Sequence, residues 1–373
     1  MHMGILLERF TWKVDVQKYL KDLLEDRGAR ALRDYHARRK PRPCGITVHP
    51  ATGCLYRCVY CYVADMGFRE FKPYPLTGLE IALALASNPY IAPGPVGSLA
   101  AFGSVTEPLL KTIRGKTLEY IECIAKTIKL SCQISTKEYI TREFASAIRR
   151  LDNGLSILVT IVSIDRYIDL EPLAPNPKLR LESISNFSSE GLHTVLFLRP
   201  AIPGISDKEA YDIISTALDH GARGVIVGSL RVTSSIMDKL RVIGVDIEFN
   251  RSRLRGGIQI TVSRDTKDRI VRIAREVGAT VYPSACSANV EAHGEACIIC
   301  PYGPCGSLDK IPEISESDIR ELLESIMLKT RYIEVGERGI VIGFDKEARI
   351  PDWVKYFIEA VSRRMVCIRR VSS

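Results

Sequence analysis

Three cysteines lie close together in one short stretch of the sequence, at Cys54, Cys58 and Cys61, and Tyr60 stands directly before the last of them. Thiolates are the soft ligands that iron-sulfur clusters require, and three thiolates leave one iron of a four-iron cube open to another molecule. Zinc is the main alternative, but a closed zinc site needs a fourth nearby cysteine or histidine. The spacing therefore favours a 4Fe-4S cluster with one open iron.

Four more cysteines form a second group: Cys286, Cys297, Cys300 and Cys305. Glycine and proline residues surround them and make the tight turns that let backbone amides face sulfur. We expect a metal here, as an auxiliary 4Fe-4S cluster in preference to structural zinc, although zinc sites use similar turns and His293 is able to replace one cysteine. An auxiliary cluster is expected near the mouth of the sheet, where it would bind substrate or accept an electron, whereas zinc would only hold the C-terminal segment in place.

Short apolar runs alternate with longer amphipathic segments through the middle of the chain. The runs predict strands at residues 45–49, 99–103, 129–135, 155–163, 192–198 and 224–232, and the segments predict helices near 77–87, 116–128, 141–151, 177–190, 207–219 and 234–242. Buried parallel strands read as continuous apolar runs, and each crossover between them supplies a helix. The pattern predicts an α/β fold whose chemistry lies on loops at the carboxyl ends of the strands.

Three regions are expected along the chain. Residues 1–44 form an N-terminal extension, with a helix over residues 13–40 that ends at the prolines after it. Residues 45–245 hold the six strand-helix units. Residues 246–373 hold the second cysteine group and a small α/β tail, with helices near 315–328 and 352–363 and strands near 331–334 and 339–344.

The first cysteine group, with Tyr60, resembles the radical S-adenosylmethionine (SAM) superfamily, in the branch of spore photoproduct lyase and the DNA repair photolyase-like proteins. The resemblance covers about residues 45–235, and its further motifs are Thr106-Glu107-Pro108, Ser135-Thr136-Lys137, Val162-Ser163-Ile164, Leu170-Glu171-Pro172, Ala174-Pro175 and the segment from Pro200 to Gly204. It implies a partial (β/α)6 radical SAM barrel and SAM bound to the open iron. It also implies reductive cleavage of SAM to a 5′-deoxyadenosyl radical that takes a hydrogen atom from the substrate.

Polar residues after the second and third predicted strands suit the methionine end of SAM. The turn at Gly103 lets the backbone approach closely. Ser104, Thr106 and Glu107 are candidates for binding the amino group, and Lys137 is the candidate for the carboxylate.

The nucleoside end of SAM has fewer candidates. Ser163, after the fourth predicted strand, is expected to contact the ribose, although a strand-end hydroxyl with only a structural role is an equal alternative. The loop that ends at Gly204 is expected to flank the adenine.

One departure from spore photoproduct lyase limits the substrate that the resemblance implies. That enzyme uses a cysteine just after its second strand to return a hydrogen atom to the product radical. Here the region reads Phe102-Gly103-Ser104-Val105, and no cysteine occurs between residues 61 and 123. Reversal of a thymine dimer is therefore not expected.

The net charge of +8 favours polyanionic partners, as do the run Arg38-Arg39-Lys40 and the row Arg251, Arg253 and Arg255, although a merely solvated basic surface remains an alternative. We expect modification or repair of a base in a nucleic acid such as tRNA or DNA, with ferredoxin or flavodoxin as electron donor. A peptide or small metabolite is the alternative substrate. A structural iron-sulfur or zinc protein without activity is a third interpretation, which leaves the three-cysteine site and its polar loops unused.

Cysteine usage and hydropathy indicate the compartment. None of the apolar runs approaches the length of a membrane span, and the N-terminus lacks the apolar core of a signal peptide. Without such a signal, eleven cysteines argue for metal ligation in a reducing compartment. A cytoplasmic location is expected.

Overall fold

The computed structural model describes residues 3–41, 45–254 and 258–371. Their strands are β1 (Gly45–Val48), β2 (Ala51–Thr52), β3 (Lys72–Pro73), β4 (Leu99–Phe102), β5 (Ser131–Thr136), β6 (Ser156–Thr160), β7 (His193–Ala201), β8 (Gly224–Ser229), β9 (Arg231–Val232), β10 (Ile260–Thr261), β11 (Thr280–Val281), β12 (Tyr332–Val335), β13 (Gly339–Asp345) and β14 (Met365–Val371). The main sheet has the order β1-β4-β5-β6-β7-β8-β11, and every neighbouring pair is parallel. The predicted partial α/β barrel is confirmed.

The helices are α1 (Ile5–Leu24), α2 (Gly28–Arg33), α3 (Gly78–Ser87), α4 (Arg114–Thr127), α5 (Arg142–Leu151), α6 (Tyr167–Leu170), α7 (Pro177–Ser189), α8 (Ala210–Asp219), α9 (Ser234–Val242), α10 (Arg264–Glu276), α11 (Ala285–Ala292), α12 (Glu316–Ser325) and α13 (Asp352–Ser362). Helices α3, α4, α5, α7, α8 and α10 contribute to one large apolar core with the strands of the main sheet. Apolar strand residues on this side are thereby removed from water.

The helix after β8 differs from the one that the sequence predicts. Helix α10, rather than α9, packs against β8, and the chain then adds β11 to the sheet. Helix α9 instead buries Ile236, Met237 and Leu240 in an apolar cluster with the first cysteine loop. The main sheet thus continues beyond residue 245. The helix that connects β8 to β11 and covers the sheet is α10, although α9 comes first in the chain.

Helix α11 lies against the inner side of the barrel. Its Ala288 packs with Leu158, Val195 and Phe197, which are inward-facing residues of β6 and β7. The carbonyl oxygen of Ala285, at the start of this helix, accepts a hydrogen bond of 2.9 Å from the Gln133 side chain on β5. The helix therefore fills part of the barrel and forms a floor beneath its mouth.

The two ends of the chain form one packing unit. Strands β12, β13 and β14 make a three-stranded sheet, and their apolar residues cluster with those of α12 and α13, as the predicted tail requires. Leu6 of α1 is buried in the same cluster. The helix predicted over residues 13–40 instead begins at Ile5 and ends at Leu24, because Leu6 gains apolar partners from a segment more than 300 residues away. Among the described residues, no helix combines the length and apolar character needed to cross a membrane.

Candidate functional site

The loop that follows β1 carries the first cysteine group. Strand β2 pairs with β3 in an antiparallel ribbon that closes the base of this loop. Gly53 has a φ of +75°, and a Cβ atom there would lie 2.2 Å from the carbonyl oxygen of Glu70, so only glycine fits. Cys58 is buried, and Cys54 and Cys61 are partly buried. The ribbon therefore fixes the direction in which the chain enters the cysteine loop.

The three cysteines line a cavity of about 290 Å³, here called the mouth cavity, at the carboxyl ends of the sheet strands. Its wall also includes Tyr60, Gly103, Ser104, Thr106, Glu107, Lys137, Arg199, Ser229, Arg231 and, from α11, Ala285. Loops from opposite sides of the barrel contribute to one cavity, which is the place where parallel α/β sheets bind ligands.

The donors around the mouth cavity suit a cluster with a bound polar ligand. Among the described residues, no three Cys, His, Asp or Glu side chains converge on a point that would hold a single metal ion. A 4Fe-4S cube binds each thiolate through a different iron, so its ligands surround a volume instead of a point. The buried hydroxyl of Thr106 has no hydrogen-bond partner in the protein. Such an orphan hydroxyl in a cavity wall fits a site that is completed by a ligand.

Burial controls the protonation of the first cysteine group. It raises the pKa values of the Cys54 and Cys58 thiols, and the nearby Lys137 charge partly offsets this at Cys58. Burial alone would lower the pKa of Lys137, but the Cys58 and Glu171 charges raise it above its usual value. Iron binding must therefore displace protons from these thiols.

Glu107 is buried at the cavity wall and holds the loop after β5. Its carboxylate accepts hydrogen bonds from the Thr136 hydroxyl at 2.6 Å and from the backbone N–H of Lys137 at 2.8 Å. Burial raises the pKa of Glu107 to about 7, against the opposing effect of these hydrogen bonds. A carboxylate poised near neutrality is able to accept hydrogen bonds from an amino group in the cavity.

The turn after β4 approaches β5 very closely. Gly103 has a φ of +102°, and a Cβ atom there would lie 2.3 Å from the carbonyl oxygen of Ser135. The next residue, Ser104, places its hydroxyl 3.4 Å from Nδ1 of His49. Burial and the neighbouring His36 and Arg39 lower the pKa of His49 to about 3, so this imidazole is neutral. The turn is thereby held from two sides.

Tyr60, which is expected to contribute to the cofactor site, lies in a buried ionic network. Its hydroxyl donates to Glu171, which also binds Arg180, and both charged side chains are fully buried. Nζ of Lys137 lies 3.9 Å from Glu171. The motif Leu170-Glu171-Pro172 is one of those that carry the family resemblance. The sequence therefore indicates that Glu171 is important, but it does not show that Tyr60 and Arg180 bind it.

Two predicted residues lie away from the cavity wall. The Ser163 hydroxyl donates to Glu209 at 2.7 Å and accepts from the backbone N–H of Arg166 at 2.9 Å. Gly204, with a φ of +73°, has no atom within 4 Å of its Cβ position. The described lining contains Pro200 from this loop but neither Ser163 nor Gly204. Their contacts with ribose and adenine stay predictions.

Comparisons with known proteins identify the fold. Neither a protein-family model nor a curated protein matches this sequence. A spore photoproduct lyase variant solved with bound SAM and dinucleoside spore photoproduct is 16% identical, with 63% of this chain and 75% of that chain covered and a TM-score of 0.51. A complex of spore photoproduct lyase with dinucleoside spore photoproduct is also 16% identical, with 62% of this chain and 74% of that chain covered and a TM-score of 0.50. The chain shares the fold of spore photoproduct lyase.

The fold shared with spore photoproduct lyase agrees with the partial barrel that the family resemblance implies. The likeness extends to Streptococcus suis SuiB bound to SAM, at 10% identity, 65% of this chain, 49% of that chain and a TM-score of 0.47. At these identities the likeness concerns the fold alone, and the chemistry has to be argued from the residues of this chain.

The cysteines of the second group lie near one another, although no three of them converge on a position for a single metal ion among the described residues. Cys297 and Cys305 face each other in an antiparallel β-bridge, with backbone hydrogen bonds of 2.8 and 2.9 Å. Cys286 packs against them, and the Cys286 and Cys300 charges both act on the other two thiols. Burial raises the pKa of Cys297, and it raises that of Cys305 to about 12.

The location of this second group differs from the expected one. Cys297 and Cys305 pack against Leu99, the first residue of β4, so they lie at the amino end of the sheet. The expectation of an auxiliary centre near the mouth is therefore wrong. Ile298 bridges to Arg364 of the C-terminal unit, and the neighbouring Glu295 binds the buried Arg363. The second group thus joins the barrel to its C-terminal unit.

The run Arg38-Arg39-Lys40 makes contacts within the protein, while Arg38 and Lys40 remain exposed, so its role in binding a polyanion stays a prediction. Arg39 donates to the carbonyl oxygen of Thr47 and packs over Tyr35, and Lys40 pairs with Asp352. These cations hold the N-terminal extension to the barrel and to the C-terminal unit, because long basic side chains reach acceptors on neighbouring elements.

The second basic row contains Arg251 and Arg253, which lie in a 3-10 turn. A strand would have pointed these alternate residues to one side, and this turn does not. Arg251 pairs with Asp238, and Arg253 lies over the ring of Phe249. Arg255 lies outside the described residues.

Proposed function

We propose that this chain is a radical SAM enzyme. The observation that carries the proposal is that Cys54, Cys58 and Cys61 share one cavity with the polar loops after β4 and β5, at the carboxyl end of a radical SAM barrel. Cys54, Cys58 and Cys61 would hold a 4Fe-4S cluster, and when bound and reduced it would supply the one electron needed for cleavage of the S–C5′ bond of SAM to methionine and a 5′-deoxyadenosyl radical, which would take a hydrogen atom from the substrate.

The residues of the chain position SAM and exclude water. The three thiolates hold the cluster, and Lys137 binds the carboxylate of the methionine moiety. Ser104, Thr106 and Glu107 accept hydrogen bonds from its amino group, since the Thr106 hydroxyl has no protein partner and the Glu107 carboxylate is buried beside it. Ser163 and Gly204 belong to the loops that flank the nucleoside. Tyr60 closes the apolar side of the cysteine loop with α9.

The proposed substrate is a base in a nucleic acid, RNA or DNA. The net charge of +8 favours a polyanion, and the spore photoproduct lyase structures contain a dinucleoside lesion. An external donor such as ferredoxin or flavodoxin supplies the electron. The proposal does not include thymine-dimer reversal, because Gly103 and Ser104 stand where that lyase has its hydrogen-donating cysteine.

The test of the substrate is a mass difference in nucleosides. Anaerobically reconstituted protein is incubated with SAM, reductant and either tRNA or DNA, and the digested nucleosides are compared with those from Cys58→Ala protein. A mass change that requires Cys58 supports the proposal. Unchanged nucleosides in both pools, alongside active SAM cleavage, would move the assignment to a peptide or small-metabolite substrate.

The second cysteine group is proposed to bind a metal centre with a structural role, and a 4Fe-4S cluster is favoured over zinc. Four thiols gather where the C-terminal unit meets the amino end of the barrel. A centre at that end would hold two units together. Because it would not face the mouth cavity, it gives no support to a peptide substrate that is anchored on an auxiliary cluster.

A further inference from the structure

Two arginines line the wall of the mouth cavity that lies across the barrel from the loops proposed to bind the methionine end of SAM. Arg199 belongs to β7 and Arg231 to β9, directly after β8, whereas Glu107 and Lys137 follow β4 and β5. Strands β7 and β8 are neighbours in the sheet, so the two arginines reach the cavity from adjacent strand ends. Pro200, which begins the segment proposed to flank the adenine, lines the same wall, but the proposed function gives neither arginine a role.

The side chain of Arg199 is held in place by the sheet. It lies across Gly228, where a Cβ atom would be 2.6 Å from both its Cγ and its Cδ atoms. Its guanidinium carbon lies 5.7 Å from the centre of the Phe197 ring. A glycine beneath the aliphatic part and an aromatic ring beside the cation restrict the rotamers of this arginine, which lowers the entropy lost when it binds an anion.

Arg231 is fixed by its backbone. Strand β9 pairs with β10, and Arg231 stands opposite Thr261 in this short ribbon. The side chain is partly buried, and within the described ranges it forms neither an ion pair nor a hydrogen bond with another side chain. A half-buried guanidinium has donors that require an acceptor, and here the cavity supplies the space for one.

The charges around the cavity favour an anion at this wall. Glu107 is the only acidic residue in its described lining, and it is bonded to Thr136 and to the backbone of Lys137 on the far side. Lys137 is already assigned to the SAM carboxylate. Arg231 therefore adds positive charge at this wall that the proposed contacts of SAM do not use, and the guanidinium of Arg199 lines the same wall.

We propose that Arg199 and Arg231 bind a phosphodiester of the substrate strand, next to the base that loses a hydrogen atom. Guanidinium groups match phosphate oxygens with paired hydrogen bonds, and two of them from adjacent strand ends would fix the strand against the cavity. The inference rests on the proposed function and deepens it, since it names the group by which a nucleic-acid substrate is held.

The test compares charged and uncharged single strands. Affinities for a labelled RNA hexanucleotide and for its methylphosphonate counterpart are measured for the reconstituted protein with SAM and without reductant, so that no turnover occurs. Arg199→Gln and Arg231→Gln should each weaken binding of the hexanucleotide by about tenfold, and each should reduce the slope of affinity against salt by about one. The methylphosphonate strand should bind weakly to all of these proteins.

Two further variants make the result decisive. Arg253→Gln removes an exposed arginine outside the cavity and should leave the affinity unchanged. Arg199→Lys keeps the charge and should retain more affinity than Arg199→Gln, which separates anion binding from a packing defect. Unchanged affinity for the hexanucleotide in both glutamine variants would overturn the inference. Failure of the proposed function is recognised separately, as absence of SAM cleavage by the wild-type protein.

Discussion

The hydroxyl of Tyr60 donates a hydrogen bond to Glu171, and Glu171 in turn binds Arg180 on α7. These contacts connect the cysteine loop to the outer layer of the barrel through fully buried charges. The residue before the last cysteine therefore acts as an anchor for the loop as well as part of its apolar cover.

Removing one partner from this network should strongly destabilise the protein. Glu171→Gln leaves the buried Arg180 without its counter-charge, so the free energy of unfolding should fall by about 3 kcal/mol or more. Tyr60→Phe should cost only about 1 kcal/mol, because it removes one hydrogen bond. Urea denaturation of the apo protein measures both. Asp352→Asn, which breaks the exposed pair with Lys40, is the control and should change stability by less than about 1 kcal/mol.

Two glycines with positive φ provide a matched pair of variants. A side chain at Gly103 meets the backbone of Ser135, whereas the space around Gly204 is open. Gly103→Ala should lower the free energy of unfolding by about 3 kcal/mol and Gly204→Ala by about 1 kcal/mol. SAM affinity, measured by equilibrium dialysis, should fall in the first variant, because a displaced turn moves Ser104 and Thr106. Equal effects of both substitutions would argue against a close backbone approach at Gly103.

Glu107 should make the stability of the apo protein depend on pH. The folded protein retains the proton of Glu107 up to a pKa of about 7, whereas the unfolded chain releases it near 4.5. Protonated Glu107 therefore stabilises the fold at low pH, and this contribution is lost as the pH rises through 7. Between pH 5 and pH 8, the wild-type protein should lose about 3 kcal/mol relative to Glu107→Gln.

The readout for Glu107 is the difference between the two proteins in urea denaturation at each pH, since other titrating groups are common to both. If the difference in free energy of unfolding between the two proteins stayed constant from pH 5 to pH 8, the raised pKa of Glu107 would be contradicted.

Local sequence patterns predicted the elements of the barrel well. The apolar run at residues 155–163, for example, predicts β6, whose residues Ser156–Thr160 are all buried. Strand β11 was missed because it has only two residues, too few for a periodic signal. The start of α1 was missed because its apolar partners come from the other end of the chain.

Chemistry-bearing residues were predictable where their types cluster in sequence. The cysteine groups gave such a signal, whereas Arg199 and Arg231 are isolated arginines whose approach to one cavity depends on neighbouring strands. The acceptors of the basic run at residues 38–40, Thr47 and Asp352, are likewise set by tertiary contacts that the sequence does not reveal.

Metal analysis should separate the two cysteine groups. Protein with Cys54, Cys58 and Cys61 all changed to alanine should retain about four irons if the second group holds a 4Fe-4S cluster, or about one zinc if it holds zinc. Cys297→Ala/Cys300→Ala should lose that metal and expose the C-terminal unit to proteolysis. Cys367→Ala, on the exposed side of β14, should change neither property. Metal content that is unaffected by the double substitution would refute the site.

The central claim is that the first cysteine group supports reductive cleavage of SAM. The direct measurement is 5′-deoxyadenosine formed by anaerobically reconstituted protein with SAM and a strong reductant, for the wild type, for Cys58→Ala and for Cys123→Ala. The last variant changes a cysteine of α4 outside the described lining of the mouth cavity. The wild type and Cys123→Ala should form 5′-deoxyadenosine and Cys58→Ala should form none, because two thiolates do not hold a cube with one open iron. Equal product from Cys58→Ala would contradict the assignment.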